Sequence, residues 1–76
     1  MMKKNKLFRT LRRKMDDMDI DQGYLAERLN LSVTSLSYRM TGKQPWKLNE
    51  MYIIMDLIHE PYDKLHGYFP KNGKTK

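Results

Sequence analysis

Leu7, Leu11, Met15 and Met18 follow one another at spacings of four, four and three residues. That spacing marks one face of an amphipathic helix and predicts a first helix from about Lys4 to Met18. Leu25, Ala26 and Leu29 form a second stripe and predict a helix from about Gln22 to Asn30. Leu36 and Met40 stand one turn apart, with Val33 at the edge, and predict a third that ends before Thr41-Gly42. Met51, Ile54, Met55 and Ile58 predict a fourth, from about Leu48 to His59. Beyond Pro61, whose ring suits a first helical turn, Leu65, Tyr68 and Phe69 predict a short fifth. No stretch sustains the two-residue alternation that a half-buried strand requires. The pattern is all-α.

Local punctuation agrees with these limits. Asp21 and Ser32 are good N-caps, because their side-chain oxygens can accept from the free amides of a first turn. Asn30 tolerates the left-handed conformation of a sharp helix exit. The loop "TGKQPWK" contains Gly and Pro and separates the third helix from the fourth. Arg12 with Asp16, and Arg13 with Asp17, are spaced to pair along the first helix, at about 0.2–0.5 kcal/mol for each exposed pair.

Charge narrows the functional classes. Fifteen Lys and Arg against nine Asp and Glu give a net charge of +6. A domain this basic favours an anionic partner, most often nucleic acid. The bases cluster in residues 3–14 and in the tail "KNGKTK", while "DDMDID" is wholly acidic in its charge. Seventy-six residues fit one small domain. The expected organisation is a flexible basic arm over 1–6, a folded domain over 7–69 and a disordered basic tail over 70–76. With no cysteine there is no disulfide and no thiolate metal site. His59 and His66 lack a second ligand at metal spacing, and no Ser or Asp has a plausible catalytic partner. A cofactor-free binding protein is expected rather than an enzyme. With no apolar run long enough to span a membrane and no signal-peptide h-region, the expected location is the cytoplasm.

Two short helices joined by about three residues, with Ala inside the first and Gly closing the loop after the second, form a helix-turn-helix signature. Ala26 keeps the steep crossing close. The stretch "DQGYLAERLNLSVTSLSYRMTGK" resembles the Cro and phage-repressor (xenobiotic-response-element) family. Gln22, Leu25-Ala26, Leu29, Leu31, Ser32, Leu36-Ser37, Gly42 and Lys43 carry the resemblance. From Leu7 to Phe69 the chain is similar to a subgroup of short proteins of phages and Gram-positive bacteria. There are departures: Asn30 replaces a turn Gly, Asp21 replaces a Thr or Ser cap, and the apolar residue of the third helix falls at Met40, beside Arg39.

The resemblance implies a five-helix, Cro/lambda-repressor-like domain. It implies a Cro-like or minimal repressor of phage or mobile-element type that binds duplex DNA as a homodimer on a pseudo-palindrome. The third helix would enter the major groove, with Val33, Thr34, Ser37 and Tyr38 as base-reading candidates. Thr34 can bond either base edge, and its methyl or Val33 can touch a thymine methyl. A bland solvated surface is the plain alternative, but it explains poorly why this face lacks Glu and Lys. Gln22, Ser35, Arg39, Thr41 and Lys43 are the phosphate candidates, with Arg39 equally able to pair with a carboxylate such as Glu27. If roughly five phosphates are neutralised per subunit, log K is expected to fall with log salt at a slope of about −4 to −5 per half-site. Trp46 is expected to pack against the fourth helix rather than stack on DNA. Tyr62, Leu65, Tyr68 and Phe69 are either a dimer patch or, the favoured alternative, ordinary fifth-helix core. The rival function is a protein-interaction module such as an antirepressor, antitoxin or adaptor.

Overall fold

The structure, a computed structural model, describes residues 7–71. Within them lie five α-helices and no strand: α1 (Arg9–Asp17), α2 (Gln22–Leu29), α3 (Val33–Met40), α4 (Leu48–Leu57) and α5 (Leu65–Tyr68), the last entered through a 3-10 turn at Tyr62–Lys64. The expected basic arm, and the tail beyond Lys71, lie outside the described residues.

The caps hold α2 and α3 where the sequence puts them. The Asp21 carboxylate accepts from the Tyr24 amide at 2.8 Å. Asn30 turns left-handed at φ 60°, and the Leu31 amide closes the exit on the Ala26 carbonyl at 2.9 Å. Ser32 Oγ accepts from the Ser35 amide at 3.0 Å. Ala26 is buried, and α2 packs against α3. Beyond α3, Gly42 adopts φ 84°. A Cβ there would stand 2.7 Å from Leu7 Cδ1, the movable end of a side chain, so it is the left-handed backbone conformation that calls for glycine.

Leu11, Leu25, Leu36, Met40, Ile54, Met55 and Ile58 are fully buried and form the centre of the core. Each contributes roughly 1.5–3 kcal/mol by leaving water. A second cluster is aromatic. Trp46 meets Phe69 edge-on at 5.2 Å and Phe8 edge-on at 6.1 Å. Trp46 is thus buried, as expected, but its ring partners are Phe8 and Phe69 rather than residues of the fourth helix, and Phe69 is itself buried, which rules it out of any exposed C-terminal patch.

The first helix differs from its expectation. It begins at Arg9, after Phe8 takes a left-handed φ of 55°. Leu7 therefore precedes the helix instead of lying on its face. A bulky residue rarely adopts this conformation. Here it sends the Phe8 ring into the aromatic cluster, where only 6% of the residue stays exposed. Arg12 does not turn to Asp16. Its Nε donates to the Leu7 carbonyl and its Nη2 to the Met40 carbonyl, both at 3.0 Å, which fastens the start of α1 to the end of α3. At the other end of α1, Lys14 reaches Glu60 at 3.0 Å.

Candidate nucleic-acid interface

Eight residues make α3, and burial divides them cleanly. Leu36, Arg39 and Met40 are buried and Ser35 is half-buried beside them. The remaining four, Val33, Thr34, Ser37 and Tyr38, occupy one continuous arc of about 140° at the helical 100° per residue. Val33, Thr34 and Tyr38 are exposed and Ser37 is half-buried. Val33 is 56% exposed, high for an apolar side chain with core available one turn away. The arc carries no charge. It offers two aliphatic groups, the Val33 side chain and the Thr34 methyl, together with three hydroxyls.

Lys43 joins this face from the loop. The Lys43 and Gln44 amides both donate to the Tyr38 carbonyl, at 2.8 and 3.2 Å, folding the loop back over the last turn. Lys43 Nζ then stands 5.5 Å from the centroid of the Tyr38 ring. A cation over an aromatic face is attracted by the ring quadrupole, so the two side chains orient one another. The five-residue spacing of Tyr38 and Lys43 gave no sign of this in the sequence, because a helix would carry them to different faces.

Among the phosphate candidates the structure makes one correction. Arg39 is only 7% exposed. Its Nε donates to Glu50 Oε1 at 2.8 Å and its Nη1 to the Ser35 carbonyl at 3.1 Å. Its partner is Glu50 of α4, not Glu27, and it is not available to a phosphate. Glu50 also accepts from the Lys47 amide at 3.0 Å, so one carboxylate both caps α4 and anchors α3 to it. Thr41 is exposed, yet its Oγ1 donates to the Ser37 carbonyl at 2.9 Å. The hydroxyl is exposed and can turn its proton outward, so Thr41 stays a phosphate candidate.

The other three candidates stay accessible. Gln22 is the first residue of α2 and half-buried. Ser35 Oγ accepts from Ser32 Oγ at 3.0 Å, which leaves its own proton for an outside acceptor. Lys43 is exposed. Asp21 points its Oδ1 back at the Tyr24 amide, so part of its negative charge is spent on the start of α2.

Among the described residues no group of three or more His, Cys, Asp or Glu comes together as a metal site would require. None of their helices is long and apolar enough to cross a membrane. No family model, curated protein or solved structure matches the chain.

Proposed function

We propose that α2 and α3 act as a helix-turn-helix, and that the chain is a sequence-specific duplex-DNA-binding transcriptional regulator. The observation that carries this reading is the exposed arc of α3. A solvated helix face is ordinarily built from Glu, Lys and Gln, which cost little there. This arc instead presents Val33, Thr34, Ser37 and Tyr38, with a cation beside it and no carboxylate. Such groups suit base edges, where hydroxyls exchange hydrogen bonds and methyls meet thymine. Lys43, Ser35 and Gln22 flank the arc as phosphate contacts, which position the helix without reading sequence. The net charge of +6 supplies long-range attraction to an anionic duplex.

Two subunits would read two half-sites with centres about 34 Å apart. With the Arg39 cation withdrawn, the expected number of neutralised phosphates falls to roughly four per half-site. The slope of log K against log salt is then about −3 to −4 per half-site. Selection from a random pool of duplexes tests the reading. It is expected to enrich a pseudo-palindrome, and a pool with no enriched sequence after repeated rounds would remove the basis for it. The competing module function predicts that outcome.

A further inference from the structure

The acidic run "DDMDID" gives α2 its Asp21 cap, and its other three acids have no part in the reading of DNA. The fold makes them the edge of a groove. Asp19 takes a left-handed φ of 57°, which Asp tolerates better than most residues. The Asp19 amide donates to the Asp16 carbonyl at 3.2 Å and the Ile20 amide to the Met15 carbonyl at 2.8 Å, so the chain doubles back on the end of α1. This corner meets α2 and the end of α4, where Met18, Asp19, Ile20, Tyr24 and Leu57 line a groove of about 270 Å³. Met18, Ile20 and Leu57 are half-buried, and Tyr24 is 47% exposed. The acids beside this apolar floor are unspent. Among the described residues Asp16, Asp17 and Asp19 make no side-chain hydrogen bond or ion pair. Arg13, one turn before Asp16 and Asp17, pairs with neither, and Lys14 is held by Glu60 at 3.0 Å.

We propose that this groove docks a segment of another protein, one that presents one or two aliphatic side chains flanked by Lys or Arg. Size selects side chains over a free small molecule, because the groove falls below the roughly 300–1,000 Å³ of small-molecule pockets. Charge selects the flanks. Four acids and no base occupy residues 16–21 of a chain that is otherwise basic. Carboxylates at a rim repel a phosphate backbone and attract ammonium and guanidinium groups. The corner therefore suits a basic protein segment and not a nucleic acid. The apolar floor supplies affinity by taking aliphatic side chains out of water, while the rim charges set which segments are accepted. The contact is small, so the complex is weak and transient. The proposal does not rest on the DNA reading, and both faces can serve one chain.

Selection on the full native chain from a displayed library of random short peptides tests the groove. It is expected to enrich peptides with Leu, Ile or Val between Lys or Arg residues. The net charge of +6 opposes such peptides at long range, so their enrichment cannot come from unspecific attraction. An enriched peptide, labelled and followed by fluorescence anisotropy up to about 1 mM chain, is expected to bind reversibly. Tyr24→Ala is expected to weaken binding at least about tenfold with helicity unchanged by circular dichroism. Asp19→Asn, which keeps the tolerance for the left-handed turn, is expected to weaken it about two- to fivefold, with the difference shrinking at high salt. Exchanging the Lys and Arg of the peptide for Gln is expected to weaken it at least about tenfold. That change leaves the protein untouched and, with Asp19→Asn, decides the matter should Tyr24→Ala lose its helicity. A selection that yields no peptide, or only peptides without basic flanks, overturns the proposal, as does binding indifferent to these changes. A chain that passes these tests and enriches no duplex sequence would refute the DNA reading and leave the groove standing. One that reads DNA and enriches no such peptide would do the reverse.

Discussion

Arg39 changed most between sequence and structure. On a helix surface an arginine near Lys43 is a natural phosphate donor. In the fold it is buried on Glu50, and this follows from a long-range contact that no local spacing reveals. Glu50 lies eleven residues away, on another helix. Removing one member of a buried ion pair leaves the other charged and unpaired. Arg39→Met is therefore expected to cost about 3–5 kcal/mol in urea unfolding, and the double variant Arg39→Met with Glu50→Leu is expected to recover a large part of it. If Arg39 held a phosphate instead, the double variant would lose a cation from the interface and its DNA salt slope would become shallower by about 1. Arg39 is buried and forked onto Glu50 and the Ser35 carbonyl, so the double variant is expected to keep the slope of the native chain. The arc of α3, by contrast, was legible from the sequence. A helix of known phase with two inward residues, Leu36 and Met40, leaves little freedom about which residues face out.

Helices α2 and α3 were also legible, because their limits rest on nearby atoms. Asp21, Asn30 and Ser32 each act within three to five residues. The start of α1 was not. Leu7 fits the helical period, but the chain breaks it at Phe8 to complete a ring cluster with Trp46 and Phe69, residues distant in sequence. The turn after α3 ties into the same region through Gly42. Gly42→Ala is expected to destabilise by about 1 kcal/mol or more, since φ 84° opposes any side chain there. Thermal or urea unfolding would show it. At the far end of α1, the hydrogen bond and charge of Lys14 hold the Glu60 carboxyl below its ordinary 4.5. A lowered folded-state pKa stabilises the fold above the unfolded value, and the benefit disappears as pH falls through the lowered one. Glu60→Gln is thus expected to lower the urea midpoint at about pH 7, and to narrow the gap from the native chain at about pH 2–3. A gap that widens in acid would contradict the assignment of this pair.

At the scale of the whole molecule, the caps and the core set α3 with one uncharged arc outward. The Arg39–Glu50 pair locks that helix to α4, and α4 carries an apolar stripe on its own outer side. The exposed arc of α3 and the outer side of α4 are thereby tied together through one buried salt bridge. A small domain with a single reading helix gains specificity by using two copies, since each half-site then adds its own base contacts. The module reading would leave the arc of α3 without a distinct role on nucleic acid. What decides between them is whether Thr34 and Tyr38 discriminate among sequences. Fluorescence anisotropy should be measured on a selected duplex and on a scrambled one at the same salt, for the native chain and for Thr34→Ala with Tyr38→Ala. The native chain is expected to prefer the selected duplex by at least about 10³-fold. The double variant is expected to lose about 1–3 kcal/mol of that preference for each contact removed, while its affinity for scrambled DNA and its salt slope hold steady. An unchanged preference in the folded double variant, or no preference in the native chain, would contradict the account.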